Sequence, residues 1–167
     1  MIEFATPDDA ADVERIVNAA YDAGEEGIWR EGWKRIARES VDALIARQEI
    51  AVARDDNHKT IGSVRVLRLS DDTAELGMLS VAPEAFGTGM GKALLTFAEE
   101  LYDTDFMQLE LLVPRTGGPH PSKVRLHAWY SRLGYREISR RDFDEPLLVG
   151  PADLITYRKS RRAAPET

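Results

Sequence analysis

The sequence predicts a single α/β domain with a mixed sheet of six to seven strands flanked by about four helices. Three observations carry this. Seven short apolar or alternating stretches read as strands, and four longer ones carry apolar residues at helical spacing. Their order along the chain is β-α-α-β-β-β-α-β-α-β-β, which interleaves the two types. The length of 167 residues suffices for one domain with a real core but not for two ordinary ones.

The elements follow in order. Ile2 to Ala5 reads as a short strand. Thr6-Pro7-Asp8-Asp9 is a helix start, because Thr6 can cap, Pro7 suits the first turn and the acids face the positive end of the helix dipole. Ala10, Val13, Ile16, Val17 and Ala20 continue that helix to about Tyr21, and Gly24 and Gly27 break it. A second helix is expected from about Trp29 to Arg47, with Trp29, Trp33, Ile36, Ala37, Val41, Leu44 and Ile45 on its apolar face. Ile50 to Arg54 is a strand, followed by the turn Asp55-Asp56-Asn57-His58. Ile61 to Leu69 and Ala74 to Val81 form a meander around Ser70-Asp71-Asp72. Gly87 to Gly91 opens a helix to about Tyr102. Phe106 to Val113 is an apolar strand, and Pro114 to Pro121 is a loop. Ser122 is expected to cap a helix to Leu133, with Gly134 as its stop. Tyr135 to Arg140 and Asp153 to Arg158 are the last strands.

Composition excludes several classes. Without cysteine, disulfides, thiolate zinc sites and a cysteine nucleophile are ruled out. Three dispersed histidines and no cysteine give a metal site little support. No run approaches the ~20 apolar residues of a membrane span. The start, Met1-Ile2-Glu3-Phe4, lacks a basic leader region, so a cytoplasmic protein is expected. The net charge of -7 disfavours nucleic acid as partner. The basic cluster Arg158-Lys159-Ser160-Arg161-Arg162 reads as the edge of a solvated tail, with the domain spanning residues 1–159 and a flexible tail 160–167.

The stretch from Glu75 to Leu95 carries the most chemistry. A strand feeds a glycine-rich turn, Phe86-Gly87-Thr88-Gly89-Met90-Gly91, that opens a helix. Glycines let a backbone approach a ligand closely, and the first N–H groups of a helix have no partner within it. Such a place suits a phosphate or pyrophosphate. A nucleoside-triphosphate loop would need G-x-x-x-x-G-K-[ST], but Ala93 follows Gly91-Lys92 and Phe86 stands at the first glycine position. A dinucleotide fingerprint needs G-x-G-x-x-G, whereas the spacing here is G-x-G-x-G.

A third pattern fits. Leu79, Val81, Pro83, Gly89 and Gly91 match a strand ending L-x-V-x-P followed by [QR]-x-x-G-x-[GA]. Later, Trp129-Tyr130-Ser131-Arg132-Leu133-Gly134-Tyr135 matches a helix ending Y-x-x-L-G-[FY]. On these motifs and the element order the chain resembles the GCN5-related N-acetyltransferase (GNAT) superfamily over nearly its whole length. The resemblance implies a GNAT-like fold and acetyl-CoA as cosubstrate. It implies that Leu79, Ser80, Val81, Gly87, Thr88, Gly89, Met90, Gly91 and Lys92 bind the cofactor, and it brings in Lys123, which stands where the family often has Asn, as a further ligand for a CoA phosphate. Phe86 departs from the usual Gln or Arg, so binding there should rest on backbone N–H groups.

The resemblance also implies a mechanism: direct attack of an amine on the thioester. A lysine-like amine with pKa about 10.4 is mostly charged at neutral pH, so a base helps. Glu75, six residues before Val81 on the same strand face, is the implied base; its alternative is a surface carboxylate at a strand start. Tyr130 is the implied acid toward the CoA sulfur, against a core aromatic with a bonded hydroxyl. The Val81 N–H is the implied oxyanion donor, with the strand's main chain pairing with pantetheine. His127 lies one turn before Tyr130 and reads either as a relay or as a packing residue. His58 and His120 have no evident partners. Trp29 and Trp33, with Glu25, Glu26 and Glu31 nearby, read either as an acceptor wall with attracting charge or as core packing with a solvated entry.

The expected activity is therefore acetylation of an amine on a small molecule or protein. The alternatives are a non-catalytic acyl-CoA-binding sensor or scaffold, kept open by Phe86 and Lys123, and transfer of a larger acyl group. Pairing through the late strands is common in the family, which makes a homodimer one option and leaves the oligomeric state open.

Overall fold

The structure is a computed structural model that describes residues 1–162. Its strands are β1 (Ile2–Phe4), β2 (Ile50–Arg54), β3 (Thr60–Arg68), β4 (Thr73–Val81), β5 (Phe106–Pro114), β6 (Arg136–Phe143) and β7 (Ala152–Ser160). Its helices are α1 (Ala10–Gly24), α2 (Arg38–Ala46), α3 (Met90–Leu101) and α4 (Pro121–Arg132). The strands form one mixed sheet in the order β1-β2-β3-β4-β5-β7-β6. β4 and β5 are its parallel pair, and β7 runs antiparallel between β5 and β6. The expected α/β architecture is thus observed. The chain divides into two compact units, residues 1–23, 34–67 and 76–102 in the first, and 24–33, 68–75 and 103 onward in the second.

In the first unit, β2 reads Ile50-Ala51-Val52-Ala53, and its period-2 alternation separates large from small side chains. Ile50 and Val52 join Val13, Val17, Val41, Leu44, Ile45 and Met78 in one buried cluster with α1 and α2. The opposite face is built of small residues, with Ala53 in register with Gly62 of β3. α3 packs on β2 there. A Cβ on Gly62 would lie 2.9 Å from Leu94 Cδ1 and 3.1 Å from the Ser80 carbonyl oxygen, so glycine lets α3 approach the strand.

A polar knot ties the chain start to this unit. Asp9 is buried and receives both terminal nitrogens of Arg54, Nη1 to Oδ1 at 2.8 Å and Nη2 to Oδ2 at 2.9 Å. The Thr6 N–H donates to the same carboxylate at 2.8 Å. Arg54 Nε donates to Glu3. Burial alone would raise the Asp9 pKa, but the hydrogen bonds and charge of Arg54, with the bonds from Thr6, hold it below the ordinary carboxylate value. A carboxyl with a lowered folded-state pKa stabilises above its unfolded pKa, and the contribution is lost as pH falls through the folded value. The urea midpoint should therefore drop as pH falls below the ordinary aspartate value of about 4, and Asp9→Asn should flatten that dependence. A mutant curve parallel to wild type would refute the assignment.

The second unit centres on β5 and β7, paired over nine positions from Phe106↔Ser160 to Pro114↔Ala152. β6 forms the sheet edge beyond β7, and seven of its eight residues are exposed. Its register shifts at Ile138, and Arg136, Glu137, Arg140, Arg141 and Asp142 line it. A bulge and charges are devices that discourage edge-to-edge pairing. Ile28, Leu112, Leu148 and Ala152 form a separate small core, flanked by Trp29, Phe143 and Leu154.

Several boundaries differ from expectation, β6 running to Phe143 rather than Arg140 among them. The expected helix from Trp29 to Arg47 is only α2, Arg38–Ala46. Trp29 instead bridges Leu148, with Arg30 N–H donating to the Leu147 carbonyl and Val149 N–H to that of Ile28. Gly32 then takes a left-handed φ of 92°. The Asn18 side chain binds both the N–H and the carbonyl of Ile36, withholding them from a helix. The cap of α4 is His120 with Pro121 at the first turn, not Ser122. At the C-terminus Ser160 closes β7, and Arg161 N–H donates to the Asp105 carbonyl at 2.8 Å. The rest of the expected tail, 163–167, lies outside the described residues.

Candidate functional site

The first unit holds the C-terminal half of β4, the glycine loop and α3. Along β4, Ala74, Leu76, Met78 and Ser80 are buried, while Glu75, Gly77, Leu79 and Val81 are half-buried. The expected alternation is present, with one irregularity. Met78 has a φ of 49°, a left-handed conformation inside a strand. For a non-glycine residue this costs roughly 1–2 kcal/mol. The Met78 side chain is locked in the core cluster, and the buried Ser80 hydroxyl donates to the Met78 carbonyl at 3.1 Å. Neither the residue type nor its neighbours signal this kink.

After β4 the chain folds back on itself. The Ala82 N–H donates to the Ile61 carbonyl, Ala85 N–H to Ala82 and Phe86 N–H to Pro83. The Thr88 hydroxyl donates to the Ala85 carbonyl. Gly87 and Gly89 take φ of 76° and 81°, and a Cβ on either would meet nothing within 4 Å. Their requirement for glycine is thus conformational rather than steric. Gly89 is the N-cap of α3, so the N–H groups of Met90, Gly91 and Lys92 open the helix without intrahelical acceptors. No acidic residue occupies that first turn, and Lys92 adds a cation. Positive dipole, exposed donors and absent carboxylates make this turn suited to an anion. Phe86 is 66% exposed.

The second unit holds Glu75, Lys123 and Tyr130. Glu75 lies opposite Gln108 at the third rung of the β4–β5 ladder and accepts a hydrogen bond from its Nε2 at 3.0 Å. Tyr130 is 5% exposed, near the end of α4. Its ring meets that of Tyr135 edge-on at 5.7 Å and is tilted against Trp129 at 4.9 Å. The turn that places Tyr135 there depends on Gly134 at φ 97° and on the Tyr135 N–H bonding the Tyr130 carbonyl.

Lys123 is buried, and its Nζ donates to Glu25 Oε2 at 2.6 Å. Glu25, equally buried, also accepts the indole N–H of Trp29 at 3.0 Å. The ammonium expected to meet a phosphate is thus committed to a carboxylate. Glu25, read as an attracting or solvated acid, is instead the inner partner of a buried pair. Trp29 and Trp33, no longer helical neighbours, stack face to face at 4.2 Å with 4° between planes.

His127 pairs with Tyr157: Nδ1 and the Tyr157 hydroxyl are 2.8 Å apart. Burial, and then the Glu137 charge, push the Tyr157 hydroxyl above its ordinary pKa. His120 Nε2 lies 2.9 Å from the Glu26 carbonyl. Three functional-looking residues escape the sequence reading. Gly62 carried the usual sign of close backbone approach, an isolated glycine in a strand. Gln108 and Arg158 carried none, because cross-strand register alone sets Gln108 beside Glu75 and Arg158 beside Gln108.

The family model described as acetyltransferase (GNAT) domain matches residues 46–137, more than half of the chain. The chain belongs to the GNAT acetyltransferase family. No curated protein sequence matches it. Among solved structures it is similar to a ribosomal-protein-alanine N-acetyltransferase from Brucella melitensis, with TM-score 0.69, 19% identity and coverage of 96% of this chain and 99% of that one. A GNAT-family acetyltransferase from Staphylococcus aureus aligns with TM-score 0.68, 16% identity and coverage of 97% and 99%. A GNAT phosphinothricin acetyltransferase from Sinorhizobium meliloti, solved with acetyl-CoA, aligns with TM-score 0.63, 19% identity and coverage of 96% and 87%. At these identities the likeness concerns the fold. Among the described residues no helix is long and apolar enough to cross a membrane.

Proposed function

We propose that this chain is a cytoplasmic N-acetyltransferase that moves an acetyl group from acetyl-CoA to an amine of a small molecule or protein. The observation that carries this reading is the turn of Gly87 to Lys92, whose left-handed glycines and acid-free helix start suit a pyrophosphate. Family membership supplies the cofactor class.

In this reading the N–H groups of residues 87–92 hold the pyrophosphate. The main chain of Leu79, Ser80 and Val81 carries pantetheine. Glu75 takes a proton from the acceptor ammonium, directly or through water. The free amine nitrogen attacks the thioester carbonyl carbon, and the C=O electron pair moves to oxygen, stabilised by the Val81 N–H. Collapse re-forms C=O and breaks the C–S bond. Tyr130 protonates the departing sulfur, and the second amine proton leaves to solvent as the amide forms. Lys92 contributes charge beside the turn. Lys123, committed to Glu25, leaves the phosphate to backbone donors.

The test is acetyl-CoA with free amino acids, polyamines and lysine peptides, reading out free thiol. Turnover is expected with at least one amine. Tyr130→Phe should lower kcat by about 10²-fold with acetyl-CoA affinity retained. Equal turnover of mutant and wild type removes Tyr130 from the chemistry. The exposed Phe86 and the committed Lys123 favour one second reading, an acyl-CoA-binding module without turnover. Cofactor binding with no acetylated amine would select it.

A further inference from the structure

Glu75, Gln108 and Arg158 stand in one row across three strands. Glu75 is the register partner of Gln108, and Gln108 is that of Arg158. Their side chains continue the row: Arg158 Nη2 donates to Gln108 Oε1 at 3.1 Å, and Gln108 Nε2 donates to Glu75 Oε2 at 3.0 Å. Arg158 is itself held, with its guanidinium carbon 5.1 Å from the Phe106 ring centre and its charge facing Asp72. Because guanidinium only donates, it takes the amide oxygen and leaves the amide NH2 to face Glu75. The amide cannot turn over without breaking both bonds.

We propose that Gln108, oriented by Arg158, is a positioning residue that holds the Glu75 carboxylate as the base of acetyl transfer. The proposal rests on the reading of Glu75 as that base. A donor locked onto one carboxylate oxygen limits rotation of the side chain and favours its charged form. Charged groups along the row include Arg158 on β7, Asp72 in the β3–β4 turn, which the Arg158 charge faces, and Arg136 on β6, the register partner of Arg158.

The decisive variant is Gln108→Glu. It matches the amide in shape and keeps Arg158 as partner, but replaces the donor with a second carboxylate against Glu75. With acetyl-CoA and the amine of highest turnover, kcat at neutral pH should fall about ten-fold. The acid limb of kcat/KM should move to higher pH, with KM for acetyl-CoA and Tm near wild type. Gln108→Leu, which removes the donor without adding charge, should move the limb less and in the same direction. The carboxyl carbon shift of Glu75 by NMR should show the same displacement without any acceptor. If Glu75→Gln abolishes turnover while both Gln108 variants keep the wild-type profile and titration, the positioning role is overturned and the base stands. If Glu75→Gln turns over like wild type, or if no amine is acetylated, the base reading fails and the proposal falls with it.

Discussion

Lys123→Met should destabilise the fold by about 3–5 kcal/mol. The pair it breaks is shielded, with Lys123 6% and Glu25 5% exposed. Two charges are removed from water, and their attraction across 2.6 Å offsets that cost only while both are present. Methionine fills much of the lysine volume and leaves the Glu25 carboxylate with the Trp29 indole N–H donating to it. The double variant Lys123→Met/Glu25→Leu should recover most of the loss, because an apolar pair of similar volume removes the stranded charge. Chemical denaturation of the wild type, both single variants and the double variant closes the cycle. Additive losses would mean that the two groups are not coupled. The pair joins α4 to the segment 24–33 within one unit, so the single variant should also loosen the Trp29 environment, visible in its fluorescence.

Gly89→Asp should abolish stabilisation by acetyl-CoA while leaving the free protein folded. At about 100 times Kd, a ligand that binds only the native state adds about 2.7 kcal/mol, or about 5–10 °C in Tm for a chain of this size. Aspartate tolerates the left-handed conformation better than most residues, so the φ of 81° is a modest obstacle. A carboxylate at a helix start is itself favourable. It therefore settles into the place proposed for the pyrophosphate and repels it. Scanning calorimetry with and without acetyl-CoA reads both effects. A ligand shift of wild-type size in the variant would remove the loop from the cofactor site.

The glycine turn and the strand before it were legible because their signals are local. Gly87 and Gly89 adopt the positive φ that only glycine accepts freely, and they do so within five residues. The alternation of β4 is a period-2 pattern that needs no partner to be read. The break in the second expected helix was not legible. Trp29, Trp33 and Ile36 do fall at helical spacing, but the bridge from Trp29 to Leu148 and the Asn18 bonds to Ile36 displace that periodicity. The left-handed Met78 is held by burial in a cluster drawn from α1, α2 and β2, which no local pattern announces.

The order of strands and helices and the glycine turn opening α3 are written in the chain itself. These follow from periodicity and backbone freedom, which act over a few residues. Which charges meet was settled by tertiary packing. It joined Lys123 to a glutamate 98 positions away and gave Tyr157 to His127. It also set Gln108 and Arg158 in line with Glu75. The physical reason is that a hydrogen bond or ion pair selects its partner by distance in space, and strand register with helix docking sets that distance independently of the interval along the chain.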